Sequence, residues 1–202
     1  MPNFIPAEAA RSEIRVSNSR FIASAAPTPT VEEAKAFIAA VRAEMPDATH
    51  HVYAFVVGHG ATTTMGMSDD GEPSGTAGRP VLSVVKGSGL GDVTVVVTRY
   101  FGGTLLGTGG LVHAYGDAAK DILAKVARVE KIARSRLLVA FDYSHFEPIR
   151  RLIAAHEGAI ADEQFAADVT LTVVLPQAQA APLSHAITEL TAGRAEIAEE
   201  QA

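Results

Sequence analysis

The segments SDDGEPSGTAGRP (residues 68–80) and RYFGGTLLGTGGLVHAY (residues 99–115) decide how the first part of this chain folds. Glycine is frequent in both, so few side chains shield their backbone N–H groups, and each segment leads into a predicted helix. A helix start carries a positive dipole end, which suits an anion or the backbone of a partner. The two segments therefore predict a binding cleft between them.

The periodicity around these segments predicts alternating strands and helices. Strands are expected at 20–25, 50–58 and 92–99, and helices at 30–45, 80–87 and 108–126. Thr30 is the expected N-cap of the first helix, with Glu33 completing a capping box. Pro80 is the expected first residue of the second helix, and Thr108 the N-cap of the third. Residues 1–18 are expected to run along the surface, and the pattern as a whole predicts a sheet covered by helices.

A charged connector is expected at 128–135, after which the pattern starts again. It predicts strands at 136–143, 158–165, 168–175 and 195–198, with helices at 145–156 and 177–191. This order, βαββαβ, is that of the ferredoxin-like sandwich, a fold that hosts many functions. The sequence therefore predicts an α+β protein with two domains, residues 1–134 and 135–202.

Composition excludes several classes of function. The chain has no cysteine, so it has neither disulfides nor a thiol nucleophile, and no apolar run is long enough to span a membrane. We expect a cytoplasmic protein. The formal net charge of −6 is uneven: residues 1–134 hold 13 basic and 13 acidic side chains, whereas residues 135–202 hold 4 and 10. A general nucleic-acid binder needs a basic face, so only a local basic cleft in the first domain remains compatible with such a role.

The acidic turn and two arginines allow two interpretations each. Asp69, Asp70 and Glu72 have the oxygen ligands that Mg²⁺ prefers, but Asp-Gly and Glu-Pro pairs are also ordinary turn chemistry. Arg79 and Arg99 suit a phosphate or a partner's carboxylate. Alternatively, these arginines bind Asp69, Asp70 or Glu72 and fasten the two loops together, and both roles are compatible.

The histidines and the second glycine cluster give weaker signals. His50, His51, His59 and His113 have no spacing typical of a metal site, so structural roles are expected for them. The run Gly107-Thr108-Gly109-Gly110 opens a helix, but it is neither a dinucleotide fingerprint nor a P-loop. Close packing of a helix against a strand explains its glycines equally well.

Five short segments together resemble the YigZ/Impact family of small cytoplasmic proteins. They are Ser19-Arg20-Phe21, Ala48-Thr49-His50, residues 69–78, Arg99-Tyr100-Phe101-Gly102-Gly103, and residues 106–112. The chain departs from the family pattern at His113, where Arg or Lys is usual, and at Val52, where Cys is frequent. Because an unperturbed histidine is largely neutral at pH 7, His113 makes the expected cleft less basic.

The resemblance implies a first domain like domain two of ribosomal protein S five and a second domain similar to the last domain of elongation factor G. It also implies a link to translation, since eukaryotic Impact proteins regulate translation initiation by interfering with activation of an amino-acid-starvation kinase. Those proteins carry an additional N-terminal partner-binding domain. Bacterial members are described, by analogy of fold, as binders of nucleic acid or of the translation machinery.

The sequence thus supports a binding or regulatory protein that needs no cofactor, whose partner is structured RNA or a ribosome-associated protein. The pattern leaves the oligomeric state open. Arg79 and Arg99 are the expected anchors and Tyr100 a stacking face, with backbone donors in the two loops. The full predicted contact set is Asp69, Asp70, Glu72, Gly75, Thr76, Gly78, Arg79, Arg99, Tyr100, Gly102, Gly103, Gly107, Gly109, Gly110 and His113. The alternative is a metal-dependent phosphoryl-transfer or hydrolytic enzyme that uses the acidic turn with both arginines.

Overall fold

The computed structural model describes residues 3–60 and 63–200. Its contacts divide the chain into two units, Met1–Lys131 and Ile132–Ala202. The predicted domain boundary after residue 134 lies three residues later. No helix in the described ranges is long and apolar enough to cross a membrane.

The first unit is built on a five-stranded antiparallel sheet. In chain order its elements are β1 (Phe4–Pro6), β2 (Ala10–Val16), β3 (Ser19–Pro27), α1 (Val31–Glu44), β4 (His50–Val57), β5 (Thr64–Ser68), α2 (Gly78–Gly87), β6 (Val93–Tyr100), α3 (Gly107–Lys125) and β7 (Arg128–Glu130). The large sheet has the strand order β2-β3-β6-β4-β5, and β1 pairs with β7 separately. The predicted sheet with covering helices is therefore observed.

The central strand β6 is buried on both faces, as its run of Val and Thr predicts. Val93, Val95 and Val97 pack with the apolar residues of α2 and α3. Val96 points the other way and packs with the buried side chains of α1. Because side chains alternate along a strand, one strand serves two cores, and the helices lie on opposite faces of the sheet.

Several local predictions for the first unit are wrong. Residues 3–18 are mostly exposed or half-buried, as expected for a segment along the surface, but they also form β1 and β2, which were not predicted, and the expected connector contains β7. The alternating charges of β2 and the exposed methionines of β5 are typical of edge strands, which carry a weak hydrophobic signal. Helix α2 begins at Gly78, so Pro80 is not its first residue. Helix α3 follows Leu106 without a side-chain cap, so Thr108 does not cap it.

The second unit has the predicted order of strands and helices. Its elements are β8 (Arg134–Phe141), α4 (Phe146–Ala155), β9 (Ala159–Phe165), β10 (Val169–Pro176), α5 (Gln177–Leu190) and β11 (Glu196–Glu200), with a short 3-10 turn at Tyr143–His145. The strands form an antiparallel sheet in the order β11-β8-β10-β9. Val139, Leu171 and Val173 pack in one core with Ile149 of α4 and Leu183 of α5. The helices therefore cover one face of this sheet.

Replacing Thr30 by Ala should destabilise the first unit by about 1 kcal/mol, because the N-cap side chain is lost. The Thr30 Oγ1 atom accepts a hydrogen bond of 3.1 Å from the backbone N–H of Glu33, as the capping box predicts. The measurement is the midpoint of urea unfolding. Thr30→Asp is the matched control, since it retains a side-chain acceptor; equal losses in both variants would contradict the capping role.

Candidate functional site

A buried ion pair joins the two glycine-rich segments. Arg99, at the end of β6, donates from Nη1 to Oε1 of Glu72 over 2.6 Å, and the hydroxyl of Tyr115 in α3 donates to the same oxygen over 2.8 Å. Glu72 and Arg99 are only 8% and 5% exposed. Of the two roles considered for Arg99, fastening the loops through a carboxylate is therefore confirmed.

Aromatic rings enclose the guanidinium of Arg99. It lies 5.5 Å from the ring centroids of both Phe21 and Phe101, and its Nη2 donates to Ser19 over 3.4 Å. Phe21 also contacts Tyr115 edge to face at 5.2 Å. Burial and the hydrogen bond to Glu72 raise the pKa of Tyr115, so its hydroxyl stays protonated and remains a donor.

The carboxylate of Asp69 occupies the anion site that the first segment forms. It accepts hydrogen bonds from the backbone N–H groups of Gly75, Ala77 and Gly78 at 2.8, 3.0 and 2.8 Å. Burial opposes the charge, but these bonds and the charge of Arg79 outweigh it and lower the pKa of Asp69. The N–H of Thr76 also binds within the loop, to Pro73. The predicted donors between Gly75 and Gly78 are therefore already used inside the protein.

Asp70 fastens the acidic turn to the sheet and to α1. Its carboxylate pairs with Arg42 and accepts the backbone N–H of His51 at 2.6 Å, while its carbonyl oxygen lies 2.7 Å from Nδ1 of His50. The carboxylates of Asp69, Asp70 and Glu72 thus contact three different sets of groups, although the ring of His50 lies between two of these residues, with its Nε2 3.8 Å from Oε1 of Glu72. Within residues 3–60 and 63–200, no three His, Asp or Glu side chains form a group able to hold a metal ion. Each of the three carboxylates therefore has partners within the protein, as the turn interpretation expects.

The histidines also have separate environments. Nδ1 of His51 lies 3.1 Å from Thr98, and burial lowers the pKa of this imidazole. Nε2 of His59 lies 3.2 Å from the carbonyl oxygen of Phe4. His113 is exposed on α3. The four predicted histidines therefore form no cluster.

Contacts within the protein and backbone conformation account for several residues of the second glycine-rich segment, residues 99–115. The hydroxyl of Tyr100 donates to Asp47 over 3.0 Å, and Arg20 covers one face of its ring at 5.3 Å, which limits the predicted stacking. A Cβ atom at Gly102 would lie 2.2 Å from the backbone of Asn18. Gly103 and Gly107 have φ angles of +82° and +70°, which favour glycine. Gly109 faces open space, whereas a Cβ at Gly110 would lie 3.1 Å from Leu106.

An open cleft of about 410 Å³ lies beside the ion pair; we call it the apolar cleft. Its floor is formed by His50, Glu72 and Arg99, and Phe101, Leu105, Leu106 and the start of α3 at Gly107 and Thr108 contribute to its walls. Leu105 is 88% exposed and Phe101 45%. The sequence prediction missed these apolar residues, although two adjacent leucines in a glycine-rich loop are a detectable signal.

Arg79 does not line the apolar cleft, so the structure does not bring the two expected anchors together there. It lies on the exposed side of α2, in a separate groove with Leu82, Ser83 and Lys86. Arg99 lies on the buried strand β6, whereas Arg79 lies on the exposed face of helix α2. Of the predicted contact set, only Glu72, Arg99 and Gly107 line the apolar cleft.

Comparisons with known proteins cover almost the whole chain. Residues 17–123 match the Impact N-terminal domain, and residues 139–194 match a domain of unknown function, DUF1949. "IMPACT family member YigZ" of Escherichia coli (strain K12) is 41% identical over 194 residues, 96% of this chain and 95% of that protein. An "IMPACT family member" of Haemophilus influenzae is 37% identical over 191 residues, 94% and 93% of the two chains. The crystal structure of a hypothetical protein, 39% identical, matches with a TM-score of 0.78 over 100% of this chain and 98% of that one.

Replacing Glu72 by Ala should lower the free energy of unfolding by about 3–5 kcal/mol, because Arg99 would stay buried without its counter-ion. Tyr115→Phe removes one donor and keeps the ring, so it should cost only about 1 kcal/mol. Urea unfolding of both variants measures the difference. A Glu72→Ala loss no larger than that of Tyr115→Phe would show that the ion pair does not hold the two segments.

Asp69 should contribute a pH-dependent part of the stability. Its pKa is lowered on folding, so its stabilisation is complete above the ordinary aspartate pKa of about 4 and is lost as the pH falls through the lower folded-state value. Stability of Asp69→Asn should therefore fall less steeply than that of the native chain over this acidic range, measured by urea unfolding at several pH values.

The control for this measurement is Asp117→Asn, whose carboxylate lies on the exposed surface of α3. This variant should keep the native pH profile. If the stability of Asp69→Asn and of the native chain changes with pH in parallel, Asp69 does not contribute the pH-dependent stabilisation predicted here.

Proposed function

The chain belongs to the Impact family, and from this we propose that it is a cytoplasmic, non-catalytic binding or regulatory protein linked to translation. The regulation of translation initiation by eukaryotic Impact proteins supports the link. We also propose that the first unit is like domain two of ribosomal protein S five and the second like the last domain of elongation factor G. The strand order β11-β8-β10-β9 supports a ferredoxin-like assignment for the second unit.

The observation that carries the proposal is the apolar cleft. Its exposed Phe101 and Leu105 offer apolar contact area, and its charged floor groups Glu72 and Arg99 already neutralise each other. Nε of Arg99 has no hydrogen-bond partner among the described residues, but the charge of this side chain is paired. Exposed apolar surface beside charges that neutralise each other is typical of contacts with another protein. We therefore assign the cleft to an apolar segment of a ribosome-associated protein.

The distribution of positive charge favours a protein over structured RNA as the partner. Of twelve Lys and Arg residues in the first unit, nine form ion pairs or hydrogen bonds within the described part of the chain. The other three are Lys35 on α1 and Arg79 and Lys86 on α2. Binding of RNA draws most of its affinity from several phosphate contacts, and three cations on two helices provide few of them.

The test is co-sedimentation with ribosomes from the protein's own source across a salt series. We expect the native chain to sediment with ribosomes and the association to weaken little with salt, because the contact is apolar. Leu105→Ser should reduce the association by about tenfold to a hundredfold, since a fully buried Leu contributes roughly 1.5–3 kcal/mol. Circular dichroism verifies that the variant is folded.

The matched control is Leu190→Ser, which removes another exposed leucine, at the end of α5, and should leave the association unchanged. If binding to ribosomes falls steeply with salt and Leu105→Ser binds as the native chain does, the partner would be RNA, bound through its phosphates, rather than a protein. No association at any salt concentration would overturn the link to the ribosome.

A further inference from the structure

An unpaired sheet edge in the second unit has features of a binding surface. Strand β9 is the last strand of its sheet and pairs on one side only, with β10. Six of its seven residues are exposed, and Ile160 is half-buried. An edge strand has free N–H and C=O groups along its open side, which an extended peptide can pair with by adding a strand to the sheet.

Unpaired negative charge is concentrated on and around this edge. Glu157, Asp162, Glu163 and Asp168 lie in β9 or in the turns at its two ends, and within the described ranges none of them has a basic partner. The chain contains no Lys or Arg between Arg151 and Arg194. The nearby cation Arg150 stacks on Phe146 at 5.4 Å and pairs with Glu147 rather than with any of these four carboxylates. The charge of the four carboxylates therefore favours a positively charged partner.

Three aromatic side chains lie at the end of the same edge; we call them the aromatic cluster. Phe165, the last residue of β9, stacks with Tyr143 at 6.3 Å and meets Phe146 of α4 at 5.5 Å. Tyr143 and Phe165 are 51% and 55% exposed, and the Tyr143 hydroxyl is fixed by a 2.8 Å bond to the carbonyl oxygen of Ala166. Exposed rings held in place lose little entropy on binding, which is why aromatic residues often dominate interfaces.

We propose that β9 and the aromatic cluster bind an extended, basic segment of a partner protein. The segment adds a strand beside β9, its Lys or Arg side chains approach Asp162 and Glu163, and an apolar or cationic side chain contacts the rings. Acidic residues on an edge strand also protect a sheet against aggregation. That role explains the carboxylates but gives no reason for exposing two ordered aromatic rings beside them.

The test uses the full chain and a labelled synthetic peptide of about nine residues, long enough to span β9, in which pairs of Lys alternate with pairs of Val so that Lys side chains lie on both faces of the added strand. Fluorescence anisotropy measures affinity, with a peptide of the same pattern that has Glu in place of Lys as the negative probe. We expect only the Lys peptide to bind. Asp162→Asn/Glu163→Gln should weaken binding about tenfold through the loss of two charge contacts. Phe165→Ser should weaken it without a change in the circular dichroism spectrum.

The opposite edge of the sheet provides the matched control. Glu196→Gln/Glu199→Gln removes two carboxylates from β11 and should bind the Lys peptide as the native chain does. Hydrogen exchange should show new protection of the β9 amides and none in β11. Absence of binding by the Lys peptide, equal weakening in the two double variants, native binding by Phe165→Ser or protection on β11 would each overturn the proposal. These outcomes do not involve the apolar cleft, so they leave the translation-linked proposal to its own test.

Discussion

The buried contact between Glu72 and Arg99 is the interaction on which the candidate site depends. Removing both charges from water is costly, and the cost is tolerable only if each group finds partners in the interior. Tyr115 supplies a second donor to the carboxylate, while Ser19 and the flanking rings of Phe21 and Phe101 receive the guanidinium. These partners come from the acidic turn, β3, β6, α3 and the loop after β6. The ion pair therefore requires both glycine-rich segments to be placed correctly at once.

Because buried charged groups need partners inside the protein, few of the polar groups in the two loops remain free to bind a ligand. The first segment has the form of an anion site, but Asp69 fills it and leaves no free donors there for a phosphate. Arg99 is likewise committed to Glu72. The loop after β6 differs, because Phe101 and Leu105 remain exposed and α3 starts without a side-chain cap. The surface that remains available beside Arg99 is thus mainly apolar, although the sequence of the two loops suggested a polar site.

Sequence reasoning succeeded where a local signal is strong and where the family resemblance extends. The Thr30 cap, the buried β6 run and the strand and helix order of the second unit all follow from periodicity and local chemistry. The edge strands β2 and β5 were missed because one of their faces is polar or exposed, which weakens the apolar pattern. Residue types in the candidate site were also predictable, and so was a contact between an arginine and a carboxylate, but which carboxylate binds which group was not. Whether a carboxylate binds a guanidinium, a backbone cradle or a ligand depends on contacts between elements distant in sequence, as Arg79 and Arg99 show.

The two units differ in how they use charge, and this difference has a physical consequence. In the first unit most Lys and Arg side chains form ion pairs or hydrogen bonds within the protein, so the electrostatic field outside this unit is weak. Recognition of a partner by this unit must therefore depend on shape and on apolar contact area. In the second, ten acidic residues face five basic ones, and the carboxylates around β9 have no basic partner in the described chain. Uncompensated charge extends its influence over about a Debye length, whereas an apolar contact acts only where surfaces meet. A basic partner segment would therefore be attracted to the second unit before any contact forms, while the apolar cleft would select its partner only after encounter.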